Sequence, residues 1–286
     1  MRANVILIAL AIFLLNACAT VETVAINGLA ELPANSTARF MFPSAGGLVE
    51  GYLARPRGNG RFPLVVLLHG HSWVGIGARR VLPAAEAFAK EVCYASIAVS
   101  LPGYGDTKVP AASLAESTRQ AVLDAVAKAK QLPWIDSGKI YVYGFSRGAV
   151  VAAALVNEID GLKGAMLHSG AYDLATLYKN TSSFLLKKIL NPNGEAEPKL
   201  HNLLPEAADW QASTLILHGA QDSLIPVSQA TLLRDRLQSL GKQHRLVLYP
   251  EHGHWLPIHA IKDQAVQFLK DNGGSACADG DSLSQR

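Results

Sequence analysis

The chain is poor in cysteine, in charge and in long apolar runs, and each shortage excludes something. Three cysteines in 286 residues, Cys18, Cys93 and Cys277, cannot make the disulfide framework of a small secreted scaffold. Cys93, inside an apolar stretch, reads as a small buried residue, and spacing alone lends no support to a bridge between Cys93 and Cys277. Charged residues make up 17% of the chain and the formal net charge is +3. No Lys/Arg block stands among aromatics, so the electrostatic footprint of a nucleic-acid binder is missing and no such partner is expected. H-E-x-x-H and paired-cysteine spacings are also lacking, so neither metal nor cofactor is expected. Two His-x-His pairs, His69/His71 and His252/His254, are weak metal evidence by themselves. What the chain does have is apolar residues, 49% of it, enough for the core of one globular domain and far from the composition of disorder.

No apolar run reaches the roughly 20 residues of a spanning helix. The run Val5 to Leu15 follows Met1-Arg2 and precedes Asn16-Ala17-Cys18. One positive charge, a short apolar core and small residues after it are the layout of a secretory signal over residues 1–17. Leu15-Asn16-Ala17-Cys18 resembles a bacterial lipobox, which implies lipidation of Cys18, a membrane anchor and a place in the bacterial cell envelope as an outer-membrane lipoprotein. Cleavage without lipidation, giving a periplasmic or secreted protein, is the alternative.

Beyond a spacer at 18–36, a single domain is expected over 37–272, then a tail at 273–286. ARFMF and LVEGYLARP read as two strands joined by the turn residues PSAGG. Six more strands follow in FPLVVLLHG, YASIAVSLPG, KIYVYGFS, LKGAMLHSG, STLILHG and HRLVLYP. Helical spacing marks VLPAAEAFAKEV, the Ala-rich stretch from Ala111 to Gln131, RGAVVAAALVNEI, VSQATLLRDRLQSLG and IHAIKDQAVQFLKDN. Eight strands, most of them apolar on both faces and alternating with helices, imply an α/β fold: a doubly wound, mostly parallel sheet with helices on both faces. One interruption, an insertion at 171–212, either roofs a pocket or runs over the surface.

KIYVYGFS passes into a helix through Gly144-Phe145-Ser146-Arg147-Gly148, a G-x-S-x-G in the strand–turn–helix setting that the motif needs. A nucleophile on so tight a turn sits at an unfavourable backbone angle, and the flanking glycines let strand and helix approach each other. The helix N-terminus then offers N–H groups to a developing oxyanion. Serine also needs a base and a group to orient that base. STLILHGAQDSLIP supplies Asp222 just past a strand end, where a carboxylate reaches an imidazole or caps a turn; Asp173 is the reserve. YPEHGHW, after the last strand, supplies His252 or His254.

The strand-end His-Gly, GFSRG, HGAQD and YPEHGHW together resemble the α/β-hydrolase superfamily, near its dienelactone-hydrolase-like and prolyl-oligopeptidase-like branch, from Phe62 to Leu269. The resemblance implies Ser146 as nucleophile, Asp222 as the orienting acid and His254 as the base, since the family loop reads Tyr-Pro-x-x-x-His. It implies an oxyanion hole made by the backbone N–H groups of His71 and Arg147, with His69 hydrogen-bonded beneath the loop. The Arg147 guanidinium either holds an anionic group or carbonyl of substrate or pairs with an acid on its helix. The implied activity is hydrolysis of a small-molecule or lipid carboxylic ester by a secreted or lipid-anchored serine hydrolase. Peptidase, thioesterase and acyltransferase action share the acyl-enzyme and stand behind it. A non-catalytic envelope lipoprotein with the same fold is the rival from another class.

Overall fold

A computed structural model describes residues 21–110, 116–191, 194–195 and 200–274. The expected signal at 1–17 and lipidation of Cys18 therefore lie outside the described residues.

The chain opens with a two-residue strand β1 (Glu22–Thr23) and a 3-10 helix over Ile26–Glu31, then folds β2 (Ser36–Ser44) and β3 (Gly47–Arg55) into an antiparallel hairpin. Its turn is Ala45-Gly46, with φ of 52° and 79°, the two-residue primed turn whose twist matches the flanking strands. Strands β4 (Phe62–Leu68), β5 (Ala95–Val99), β6 (Ile135–Phe145), β7 (Leu162–His168), β8 (Ser213–Gly219) and β9 (His244–Tyr249) complete a nine-stranded sheet ordered β1-β2-β3-β5-β4-β6-β7-β8-β9. All pairs from β5 to β9 are parallel. The doubly wound, mostly parallel α/β architecture read from the sequence is present, with nine strands in place of eight. The extra one, β1, falls in the expected spacer, where two polar residues carry neither alternation nor an apolar run.

Side-chain alternation explains why the central strands are apolar throughout. Leu64, Val66 and Leu68 of β4 and Ile140 and Val142 of β6 point into one core, closed by α2 (Glu116–Lys130), α3 (Arg147–Ala154) and α6 (Ser228–Ser239). Val65, Leu67, Tyr141, Tyr143 and Phe145 point into the other, closed by α1 (Leu82–Glu91) and α7 (Ile258–Gly273). A strand covered on both faces has no position for a solvent-facing polar residue. Helix α3 stops at Ala154, short of the expected Ile159. Leu155 N reaches both Val151 O and Ala152 O, and the turns that follow bury Leu155 and Ile159 in the core.

Cys93 is buried, as its apolar setting suggests, but it is disulfide-bonded rather than a free thiol. Beside it, Tyr94 Oη donates to Leu269 O (3.0 Å) and Gly274 O (2.9 Å), fixing the end of α7. The insertion forms α4 (Leu174–Asn180), capped by Asp173 on Thr176 N (3.0 Å), and α5 (Phe184–Leu190), capped by Ser183 on Leu186 N (3.2 Å). Its base is tied to α6, where Gln229 Oε1 accepts from Tyr172 N and Asp173 N.

From β4 the chain crosses first to β5 on one side and later to β6 on the other. In such sheets the crevice for ligands opens at the carboxyl ends of the strands where this reversal occurs. Here that is the junction of β4 and β6, and Ser146 stands at it.

Candidate active site

Ser146 joins β6 directly to α3 with φ 51° and ψ −115°, a left-handed conformation that costs a non-glycine residue on the order of 1–3 kcal/mol and persists only where packing enforces it. The enforcement is visible on both sides. A Cβ on Gly148 would drive into the carbonyl of Leu68 and one on Gly144 into the carbonyl of Gly148, so strand and helix meet at a distance only glycine allows. Ser146 N also donates to His168 O (2.8 Å), extending the β6–β7 ladder into the turn.

Asp222 and His254 come from the loops after β8 and β9, the two strands beyond β7. His254 Nδ1 donates to Asp222 Oδ2 (2.7 Å), which leaves Nε2 to accept the hydroxyl proton of Ser146 (3.0 Å). The two loops are zipped together by Ala220 N to Tyr249 O (3.0 Å) and Gln221 N to His252 O (2.9 Å). Gly219 lies against the carbonyls of His252 and Gly253 with no room for a Cβ. Ser169 Oγ donates to His254 O (3.2 Å), holding the base from the β7 side. The Asp222 side chain is fully buried. Burial pushes its carboxyl up, but hydrogen bonds from His218, His254 and the Ile225 N–H outweigh this and hold it well below the usual carboxylate range. His252 and Asp173, the alternatives in the sequence, stand apart: His252 packs edge-on against Tyr249 and Asp173 caps α4.

The loop after β4 passes directly against the serine. A Cβ on Gly70 would lie 3.2 Å from Ser146 Cβ, so the residue before His71 packs against the nucleophile. Arg147 is the first residue of α3, where N–H groups have no intrahelical acceptor. The side chains of the two oxyanion candidates are linked through a residue the sequence reading did not connect to them. Tyr104 Oη donates to His71 Nδ1 (2.6 Å) and accepts from Arg147 Nη1 (3.3 Å), with the guanidinium 5.4 Å above the Tyr104 ring. Burial, then the Arg147 charge, pushes the His71 imidazole below its ordinary value. His69 is a structural residue of this loop: Nδ1 donates to Gly70 O (2.8 Å), Nε2 accepts from Leu101 N (3.0 Å), and burial pushes it down to about 4.

Two further buried imidazoles surround the triad and were missed. His218 Nε2 donates to Ile225 O (2.9 Å) and faces Asp222 Oδ2 at 3.4 Å. His168 pairs through Nδ1 with Tyr143 Oη (2.8 Å) and is pushed down to about 3 by burial, helped by the neighbouring His254 and His218. A signal existed: His69, His168 and His218 each lie within one residue of a strand's carboxyl end. Among the described residues no three of His, Cys, Asp and Glu converge as metal ligands. A cavity of about 280 Å³ between the 3-10 helix and α2, lined by Leu29, Phe40, Ile97 and Lys128, touches none of the site residues.

Taken together, a strained serine at a strand–helix elbow and an imidazole–carboxylate pair at the carboxyl edge of a doubly wound sheet form a candidate serine-hydrolase site on an α/β-hydrolase fold. The chain belongs to the prolyl oligopeptidase family, whose model matches residues 112–271; the model of FrsA-like esterases matches residues 18–176. The uncharacterized peptidase YuxL of Bacillus subtilis (strain 168) is 28% identical over 237 residues, 78% of this chain and 36% of that protein. This chain spans less than two thirds of the length of the first relatives it matches. Among solved structures, the Pyrococcus horikoshii acylaminoacyl peptidase superposes with a TM-score of 0.67 at 17% identity, covering 88% of this chain and 44% of that one. A Pyrococcus furiosus esterase gives 0.63 at 17%, covering 90% and 98%. At these identities the structural likeness speaks for the fold.

Proposed function

We propose that the protein is a secreted or lipid-anchored hydrolase that cleaves a carboxylic ester through an acyl-enzyme. His254 takes the Ser146 proton as Oγ attacks the carbonyl carbon, Asp222 balances the imidazolium, and the N–H groups of His71 and Arg147 receive the oxyanion. The alcohol leaves with the proton from His254. Water, deprotonated by the same imidazole, then releases the acid and restores Ser146. The observation that carries this is the continuous hydrogen-bonded chain from Ser146 Oγ to Asp222, 3.0 and 2.7 Å.

Ester over amide is supported by the match to the FrsA-like esterase model over residues 18–176. The prolyl oligopeptidase family model favours a second reading, a peptidase working through the same intermediate. Export is supported by the bridge at Cys93, since disulfides persist in oxidising compartments.

The deciding experiment is intact-mass labelling with a fluorophosphonate, beside Ser146→Ala and His254→Ala. One adduct, lost in both variants, is expected, followed by faster turnover of p-nitrophenyl esters than of matched peptide anilides. No adduct on folded protein removes the serine mechanism; faster anilide turnover replaces the esterase with the peptidase.

A further inference from the structure

Six of the nine exposed large apolar side chains among the described residues sit on three segments leaving the same end of the sheet: Trp73, Val74 and Ile76 after β4, Phe184 and Leu185 after β7, and Trp255 after β9. Because β4 to β9 are parallel, these segments rise on either side of the elbow that carries Ser146. Val74 and Phe184 are each 81% exposed, and clustered exposure of this kind marks a surface that meets something apolar.

The charges nearest these tips in sequence have one sign in excess, while the later part of the insertion, 192–212, holds Glu195, Glu197, Glu206 and Asp209 against Lys199. Residues 69–80, 170–191 and 250–257 hold five Lys and Arg against two acids, Asp173 and Glu251. Asp173 is engaged as the cap of α4, while Arg80 stacks on Trp255 with its guanidinium 4.4 Å from the ring and Lys187 lies 5.8 Å from the ring of Tyr178. Protruding apolar tips, tryptophans able to sit at a polar boundary, and cations beside them form the composition that partitions into the headgroup region of an anionic bilayer.

We propose that the end of the molecule carrying Ser146 docks on an anionic lipid surface, with Trp73, Val74, Trp255 and Phe184 entering the headgroup layer and Arg80 and Lys187 meeting lipid phosphates. The docking brings Ser146 to substrates held in or at the membrane. It rests on the surface alone and stands whether the site cleaves esters or amides.

The tryptophans make it testable. Trp134 and Trp210 are buried, at 3% and 1% exposure, so changes in emission on binding report Trp73 and Trp255, 63% and 58% exposed. The full chain is mixed with phosphatidylglycerol vesicles and, separately, phosphatidylcholine vesicles, with acrylamide as the aqueous quencher. The apolar N-terminal run is common to all variants, so the readout is the environment of these two rings and not sedimentation. The expected result is a blue shift and at least a halving of quenching with phosphatidylglycerol, much weaker with phosphatidylcholine and lost in Val74→Asp/Phe184→Asp. These residues are exposed, so an unchanged far-UV spectrum and Tm will show the variant folded. The proposal is overturned if the rings stay quencher-accessible on phosphatidylglycerol, if the double variant shifts as the wild type does, or if phosphatidylcholine serves equally. A shift that instead follows protein concentration without vesicles identifies a second copy as the occupant and overturns it too.

Discussion

Asp222 shows how much a single side chain is asked to do. Its Oδ1 accepts from Leu224 N (2.9 Å) and Ile225 N (2.8 Å), while Oδ2 serves His254 and faces His218. The backbone bonds hold the carboxylate rigidly, and the imidazoles keep it ionised. Asp222→Asn preserves the shape and an acceptor for the two N–H groups but removes the charge and disturbs the tautomer of His254. The expected outcome is a kcat lower by about 10⁴-fold with near-native Tm, read from steady-state ester hydrolysis and a melting curve. The motif spacing made Ser146, Asp222 and His254 legible in the chain, because each follows a strand end at which the family pattern is local. The pairings of His218, His168 and Tyr104 were not legible: their partners lie 7, 25 and 33 residues away in sequence or farther, and only folding brings them together.

At the scale of elements, the site depends on two loops keeping one register. Gly219, at the end of β8, presses on the carbonyls of His252 and Gly253, so the loop bearing the acid positions the loop bearing the base. Gly219→Ala should push the His254 loop outward. A displacement of about 1 Å at a reacting group costs on the order of 10²-fold in rate, and that loss in kcat is the expected reading. Gly253→Ala is the contrast: its Cβ would find Gln221 O at 3.5 Å, an ordinary contact, and activity should be retained. If both variants keep full activity, the loops are more compliant than this packing implies.

For the whole molecule, pH acts through the buried imidazoles. His168 and His69 fall from an ordinary 6.5 to about 3 and about 4 in the fold. Below about pH 6.5 the unfolded chain takes up these protons and the native protein does not, so stability rises with pH in this window and is lost on acidification. The loss is about 1.4 kcal/mol per pH unit for each imidazole until its folded value is reached. Asp222 works in the same direction lower down, its stabilisation present above the ordinary carboxylate range and lost beneath it. Urea midpoints from pH 7 to 4.5 should fall steadily, with a shallower slope in His168→Gln; a flat profile would contradict the burial. The bridge at Cys93 is checked separately. Non-reducing peptide mapping should find Cys93 in a disulfide-linked peptide pair that separates on reduction.

The sequence by itself determined the fold class and the candidate triad, because strand burial, helix periodicity and the elbow glycines are written in runs of neighbouring residues. The tertiary structure alone decided the rest. It supplied the ninth strand, whose pairing comes from β2 and not from its own two residues, and the disulfide state of Cys93. It also linked His71 to Arg147 through Tyr104 and drew the exposed apolar tips of three distant segments to one end. Each of these is a relation between segments remote in the chain, and parallel strands are what bring such segments to a common edge.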